Sequence, residues 1–128
     1  MTGNRSLVSV VDDDESVRES LPDLLRQRGF AAEAFSSAEA FLASEVLGET
    51  SCLLLDIVMP GMSGPDLQQE LRRRQRKIPI VFITGHREMS RSPLLVDGSA
   101  AGCLVKPFTE AALFDAVTAA LRGQCPEP

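Results

Sequence analysis

The 128-residue sequence contains no tryptophan and no tyrosine, and it has a single histidine. The lack of these aromatic residues disfavours a protein that stacks single-stranded nucleic acid on aromatic side chains. Basic residues are fewer than acidic ones, 13 against 18, which gives a formal net charge of −5. Since a nucleic-acid-binding domain carries an excess of basic residues, we expect no direct contact of this chain with nucleic acid.

Long apolar runs are also missing, and none approaches the ~20 residues that a membrane-spanning helix needs. The polar start Met1–Ser6 does not resemble a signal peptide. The three cysteines are odd in number and lack paired close spacing, which disfavours a disulfide framework and a zinc site. These absences predict a cytoplasmic protein that does not bind a membrane.

What is present is a regular alternation of short apolar runs and amphipathic segments within a length typical of one domain. The apolar runs are Leu7–Val11, Ala31–Phe35, Cys52–Leu55, Ile80–Ile83 and Cys103–Val105. Runs of this length are typical of strands that are buried on both faces. They predict five strands, with Cys52 and Cys103 as small core residues.

The segments between the runs predict helices. The first carries an apolar stripe that Gly29 ends, and Pro22 inside it predicts a local kink. Ser36 and Glu39 have the spacing of a capping box for a second helix that closes near Gly48.

The later helices are unequal. Pro65 is predicted as the first residue of the third helix, and the last helix runs from about Thr109 to Arg122. The fourth, within Met89–Ala101, is weak because proline, glycine and serine interrupt it.

Five strand–helix units predict an α/β fold: a single flavodoxin-like (βα)5 domain around a parallel five-stranded sheet of order 2-1-3-4-5. We expect an N-terminal tail over residues 1–6, the domain over 7–122 and a C-terminal tail over 123–128. In such sheets ligands bind at the carboxyl ends of the strands, beside the switch point between strands one and three.

Polar residues stand where the predicted strands end, and they are Asp12 and Asp13, Asp56, Thr84 and Lys106. Three carboxylates within ~5 Å repel one another by a few kcal/mol per pair, so a cation is needed to neutralise them. Ligands that are all oxygen favour a hard cation such as Mg²⁺. With a hydroxyl and an ammonium opposite, the site has the groups that position a transferred phosphoryl group.

At these residues the chain resembles the receiver domain of bacterial two-component response regulators. The matching segments are Val10–Asp14, Leu54–Gly64, Ile83–Gly85 and Lys106–Phe108. The resemblance covers about Leu7 to Arg122. The segments Thr84–His86 and Ser37–Leu42 resemble the corresponding sequences of the nitrogen-fixation-regulator branch, whose members often carry a helix-turn-helix output domain.

The resemblance implies a role for each acidic residue. Asp56 corresponds to the phosphoacceptor, which takes its phosphoryl group from a sensor histidine kinase or a phosphotransfer protein. Asp13 binds Mg²⁺ directly, Asp12 binds it largely through water, and the backbone carbonyl of Val58 completes the protein ligands. In the family the positions of Val58 and His86 also tune the lifetime of the phosphoaspartate.

The resemblance also implies how the phosphoryl group is held. The hydroxyl of Thr84 and the amide of Gly85 bind phosphoryl oxygens, and Lys106 pairs with another. The Lys106–Pro107 bond is expected to be cis, as in the family. Such a domain catalyses only its own phosphorylation and dephosphorylation and is not an enzyme on an external metabolite.

One position departs from the family pattern. Receivers usually have an aromatic residue three places before the lysine, and here that place holds Cys103. In the family this aromatic side chain moves inward on phosphorylation, and a cysteine cannot produce a comparable change of surface. We therefore expect segment 86–102 to rearrange in its place.

Simpler interpretations exist for several of these features. Asp14 and Glu15 are explained by capping the first helix, where acidic groups complement the helix dipole. The basic run Arg72–Lys77 is explained as a solvated helix end, although an acidic partner or nucleic acid is an alternative. The tail over 123–128 is too short for a DNA-binding domain, so the chain is expected to act through another protein or to be part of a longer regulator.

The resemblance thus implies a phosphorylation switch, in which phosphorylation of Asp56 changes a partner-binding surface, and this interpretation has alternatives. A phosphate sink without output stays open because of Cys103. A phosphohydrolase with an aspartyl-phosphate intermediate is disfavoured because Val58 stands where such enzymes place a second aspartate. A flavodoxin-like cofactor binder is disfavoured because acids replace the phosphate-binding loop after strand one. A homodimer is possible, and its interface stays open.

Overall fold

The computed structural model describes residues 6–57, 61–84, 102–106 and 108–122. The elements in chain order are β1 (Leu7–Val11), α1 (Glu15–Gln27), β2 (Ala31–Phe35), α2 (Ala38–Leu42), a 3₁₀ helix (Glu45–Glu49), β3 (Thr50–Asp56), α3 (Gly64–Arg73), β4 (Ile80–Thr84), β5 (Gly102–Val105) and α4 (Glu110–Arg122). None of the helices in these ranges has the length and apolar character to cross a membrane.

The five strands form one parallel sheet of order β2-β1-β3-β4-β5. The predicted fold class and strand order are confirmed. The strand bounds differ from the predicted runs by at most two residues: β3 also includes Thr50, Ser51 and Asp56, β4 includes Thr84, and β5 includes Gly102.

Alternate side chains of the strands pack into two separate cores. On one face, Val10 and Leu54 pack with Leu25 of α1 and Leu113 of α4. On the other face, Leu53 and Leu55 pack with side chains of α2 and α3, namely Phe41, Leu67 and Leu71. Because both faces of the central strands are covered, β3 and β4 contain the uninterrupted apolar runs Cys52–Leu55 and Ile80–Ile83 instead of an alternating pattern.

The first helix ends as predicted. Arg28 is its C-cap residue, and Gly29 follows with a φ of 93°, in the left-handed region that glycine adopts without steric cost. Pro22 lies inside α1 and is buried. The kink expected there stays a prediction.

The predicted capping box at α2 is wrong. Ser37 caps this helix, and its side chain accepts a hydrogen bond from the amide of Ala40 at 3.1 Å. Ser36 precedes the cap by one residue, and the Glu39 carboxylate instead accepts a hydrogen bond from the amide of Met62. The helix also ends at Leu42, earlier than predicted, and a separate 3₁₀ helix covers the stretch around Gly48.

A capping box does exist at the start of α3. The Ser63 hydroxyl accepts from the amide of Asp66 at 3.3 Å, and the Asp66 carboxylate accepts from the amide of Ser63 at 3.2 Å. Pro65 is consequently the second residue of the helix and not the first. This reciprocal pair satisfies two backbone groups and fixes the point at which the chain from β3 turns into α3.

Candidate functional site

The residues predicted to carry chemistry lie at the carboxyl edge of the sheet. Asp12 directly follows β1, Asp56 and Thr84 are the last residues of β3 and β4, and Lys106 directly follows β5. Since β1, β3, β4 and β5 are consecutive parallel neighbours in the sheet, their ends meet at one edge.

Three carboxylates cluster at this edge. Asp12, Asp13 and Asp56 each place one carboxylate oxygen within 4.8 Å of the others. Asp12 and Asp56 are buried, whereas Asp13 is exposed. A set made only of oxygen donors with partial access to water has the chemistry that Mg²⁺ prefers, since this ion keeps several water ligands.

The two carboxylate oxygens of Asp12 are held differently. Oδ1 accepts a hydrogen bond from the amide of Asp14 at 2.9 Å. Oδ2 is fully buried and, among the described residues, accepts no hydrogen bond. The Lys106 ammonium lies 3.2 Å from Oδ2, which is ion-pair distance without hydrogen-bond alignment. A buried carboxylate oxygen with spare capacity fits a cation ligand.

The backbone of Lys106 is held by the sheet, and its side chain extends towards the carboxylates of Asp12 and Asp14. Its amide donates to the carbonyl of Thr84 at 2.8 Å, which extends the β4–β5 pairing by one residue beyond Val105. The side chain is 26% exposed, and its Nζ also lies 4.0 Å from Oδ2 of Asp14. One ammonium therefore stands between a buried and an exposed carboxylate.

Asp14 caps α1, as the simpler interpretation of the acidic run predicted. Its backbone is extended, and its Oδ1 accepts a hydrogen bond from the amide of Ser16 at 2.9 Å. Glu15 is the acidic residue of the first turn, where it complements the helix dipole. The proximity of Asp14 to Lys106 was not predicted from the sequence.

Two other side-chain contacts, both to the backbone of segments that adjoin the predicted site residues in the chain, were missed. Arg18 of α1 donates through Nη1 to the backbone carbonyl of Asp12 at 3.2 Å. Glu39 of α2 accepts from the amide of Met62 at 3.3 Å, in the chain that leads from Asp56 to α3. The position of Arg18, one turn after the Asp14 cap, was a usable signal, whereas nothing in the sequence connects Glu39 with Met62.

Several predicted features lie outside the described residues. These are the Val58 carbonyl, Gly85, His86, the Lys106–Pro107 bond and most of segment 86–102. The backbone of Cys103 belongs to β5, but its side chain is outside the described part. The roles expected for these residues stay predictions.

A parallel α/β sheet with clustered carboxylates, a hydroxyl and a lysine at its carboxyl edge defines a class of phosphoryl-accepting signalling domains. Residues 8–118 match the family model described as the response regulator receiver domain. The chain belongs to this family. Receiver domains of two-component response regulators are phosphorylated on aspartate, bind Mg²⁺ at an acidic pocket and interact with histidine kinases.

Sequence relatives include the branch that the motifs predicted. Nodulation protein W of Bradyrhizobium diazoefficiens is 46% identical over 116 residues, which cover 91% of this chain and 51% of that protein. Transcriptional regulatory protein FixJ of Azorhizobium caulinodans is 42% identical over 117 residues, which cover 89% of this chain and 54% of that protein. The chain thus spans about half the length of these relatives.

Solved structures agree with the family. FixJ-N has a TM-score of 0.81 at 34% identity, with 91% of this chain and 94% of that chain covered. Response regulator StyR has a TM-score of 0.82 at 45% identity, with coverage of 92% and 60%. TrrA of Thermotoga maritima, solved in complex with Mg²⁺-BeF, has a TM-score of 0.80 at 27% identity, with coverage of 91% and 99%.

Proposed function

We propose that Asp56 is the phosphoacceptor of this receiver domain and that its phosphorylation switches a partner-binding surface. The observation that carries the proposal is the approach of the Asp56 carboxylate to those of Asp12 and Asp13, within 4.8 Å. Asp56 is also the last residue of β3, so its backbone is held by the sheet while its side chain lies at the ligand-binding edge.

The transfer needs positioning more than covalent chemistry from the protein. An Asp56 oxygen attacks the phosphorus of a phosphohistidine, the phosphorus–nitrogen bond breaks, and the departing imidazole keeps the electron pair and takes up a proton. The Thr84 hydroxyl and the Gly85 amide are assigned to two phosphoryl oxygens, and the Lys106 ammonium to the third. Burial strengthens these interactions because water competes less there.

The cation fits the donors that surround Asp56. We assign Asp13 and Asp56 as direct carboxylate ligands, Asp12 as a ligand largely through water, and the Val58 carbonyl as the remaining protein ligand. Bound Mg²⁺ supplies the positive charge that lets a dianionic phosphoryl group approach three carboxylates. Arg18 and the Asp14 amide hold Asp12 at its carbonyl and at Oδ1, which fixes the direction of its other oxygen.

The proposed setting is the cytoplasm, with a sensor histidine kinase or a phosphotransfer protein as donor. The downstream partner is a protein, and residues 7–122 form the receiver domain of this assignment. FixJ of Azorhizobium caulinodans is a transcriptional regulatory protein, so the proposed output is the control of transcription through a segment or partner outside these residues. Val58 and His86 are assigned to the lifetime of the phosphoaspartate.

Phosphotransfer from candidate histidine kinases, with and without Mg²⁺, tests the site. We expect Mg²⁺-dependent labelling of the wild type and none of Asp56→Asn. Asp115→Asn, the same change at an exposed position of α4, is the control and should be labelled like the wild type. Labelling that survives Asp56→Asn, or that needs no divalent cation, would refute the assignment.

A second experiment separates a switch from the phosphate sink that Cys103 leaves open. A pull-down compares the wild type with Asp56→Asn, each treated with a phosphodonor and Mg²⁺. A switch captures a protein other than the kinase only in the phosphorylated wild type. A sink captures the same proteins in both samples.

A further inference from the structure

We propose that Asp14 is a positioning residue that holds the Lys106 ammonium in the unphosphorylated domain and opposes its movement towards a phosphoryl group on Asp56. The inference deepens the proposed function and rests on Asp56 as the phosphoacceptor. Asp14, which follows the two cation-binding aspartates, then slows phosphorylation in addition to capping α1.

The Lys106 ammonium lies close to the carboxylates of both Asp12 and Asp14. Its Nζ lies 3.2 Å from Oδ2 of Asp12 and 4.0 Å from Oδ2 of Asp14. The Asp12 side chain is fully buried and its Oδ2 accepts no hydrogen bond from the described residues. A cation bound beside Asp12, largely through water, would weaken the hold of Asp12 on the ammonium and leave Asp14 as a counter-ion that faces it from the β1–α1 turn.

The two oxygens of Asp14 have separate tasks. Oδ1 accepts the hydrogen bond of the Ser16 amide at 2.9 Å and so fixes the direction of the side chain at the start of α1. Oδ2 then faces Lys106 without further loss of side-chain freedom. Asparagine keeps an oxygen acceptor for the cap and removes the charge, so the two tasks can be tested apart.

Asp14 and a phosphoryl group on Asp56 compete for the Lys106 ammonium, and this competition determines the expected change in the phosphorylation rate. A phosphoryl dianion at Asp56 needs Lys106, while the Asp14 carboxylate attracts Lys106 and repels the dianion. Removal of this single charge is expected to raise the rate of phosphorylation by a small phosphodonor about threefold at low ionic strength, since unit charges several ångströms apart interact appreciably. Added salt should reduce the gain.

The experiment compares the wild type with Asp14→Asn, Asp14→Ala and the control Glu15→Gln. Glu15 is the neighbouring exposed acid, and no ion pair joins it to Lys106 within the described part of the chain. The rate is measured as Mg²⁺-dependent modification of Asp56 by acetyl phosphate, followed by intact mass. Helix capping is followed separately, by urea unfolding.

Lysine resonances supply a readout that does not depend on phosphorylation. The chain has two lysines, Lys77 and Lys106, so a sample with isotope-labelled lysine gives two sets of side-chain signals. Lys77 is exposed beyond the end of α3 and serves as the internal reference. We expect the Lys106 signals to shift in both Asp14 variants, with Lys77 unchanged and Glu15→Gln like the wild type.

The outcomes distinguish the two proposals. Support requires a faster reaction and a Lys106 shift in Asp14→Asn at unchanged stability, with Asp14→Ala faster but less stable. A wild type that reacts at Asp56 while Asp14→Asn reacts equally fast overturns the inference alone. The same holds if only Asp14→Ala differs, because the lost cap then explains the effect. A wild type that is not modified at Asp56 overturns both proposals.

Discussion

A Cβ atom on Gly64 would lie 2.6 Å from the backbone oxygen of Asp56, closer than real contacts of this kind. The same atom would approach Cα of Ile57 at 3.0 Å and the ring of Phe82 at 3.2 Å. The amide of Gly64 also donates to the carbonyl of Ile57 at 3.0 Å. The first residue of α3 therefore packs directly on the backbone that carries the proposed phosphoacceptor, which leaves no room for a side chain.

Gly64→Ala is expected to destabilise the fold by about 1–3 kcal/mol, the usual cost of forcing an extra methyl group into a packed site. It should also slow phosphorylation, because the backbone of Asp56 has to shift. Urea unfolding followed by circular dichroism measures the change, since the chain lacks tryptophan. Gly48→Ala is the control: there the nearest atom is the flexible Arg76 guanidinium at 3.5 Å. Equal stability of the two variants would contradict the packing argument.

Mg²⁺ is expected to stabilise the wild type by mass action, by about 1.4 kcal/mol at ten times its Kd. Asp56→Asn should lose most of this gain and, in the presence of a chelator, should unfold at a higher temperature than the wild type. The reason is that it removes one of three carboxylates that repel one another. Thermal unfolding with MgCl₂ or with EDTA measures both effects. An undiminished Mg²⁺ shift in Asp56→Asn would exclude this carboxylate as a ligand.

The ion pairs of Glu70 with Arg73 and Arg74 predict that the stability of the domain depends on pH. Hydrogen bonds from Arg73 and Arg74 lower the pKa of its carboxyl group from 4.5 to about 2. Since the pKa of Glu70 is lower in the folded chain than in the unfolded one, its contribution to the free energy of unfolding is complete above about pH 4.5. This contribution is lost as the pH falls towards 2. Glu70→Gln should be less stable than the wild type at pH 7 and should converge with it as the pH falls.

Urea titrations at several pH values measure this difference, with Glu33→Gln on β2 as a control of equal charge. Because Glu70 and its arginines lie at the surface, the difference at pH 7 should be small and should shrink in high salt. A difference between Glu70→Gln and the wild type that stays constant from pH 7 to pH 3 would contradict the assigned pKa.

The cap of α2 gives a direct test of the corrected boundary. Ser37→Ala is expected to cost about 1 kcal/mol, because the Ala40 amide loses its acceptor. Ser36→Ala, one residue earlier, is expected to change the free energy of unfolding by only a few tenths of a kcal/mol, as surface substitutions do. If the larger loss occurs at Ser36, the helix starts where the sequence pattern had placed it.

Cys52 is expected to report global unfolding. Its side chain is fully buried, and burial raises the pKa of its thiol to about 12, so almost no thiolate forms at neutral pH. Alkylation of Cys52 by iodoacetamide, followed by peptide mapping, should be undetectable in buffer and should rise with the unfolded fraction in urea. Rapid alkylation of the native chain would contradict this burial.

Patterns within short stretches of chain account for much of what the sequence predicted correctly. Five apolar runs predicted the strands because strands covered on both faces exclude polar side chains along most of their length. The residues after four of the five runs then predicted the site, because parallel strands end at a common edge. Boundaries were less accurate where neighbouring residues compete for one role, as Ser36 and Ser37 do at the α2 cap and as Gly64 and Pro65 do at the start of α3.

The sequence by itself thus determined the family, the strands and the group of residues at the carboxyl edge, since these follow from local hydrophobicity and short motifs. The order of the strands followed from the few topologies that five strand–helix units adopt. Only the tertiary structure decided which charges face one another. The Lys106 ammonium lies between the carboxylates of Asp12 and Asp14. Such pairings depend on how α1 packs against the sheet and on side-chain direction, and both arise from contacts between segments that are distant in the chain.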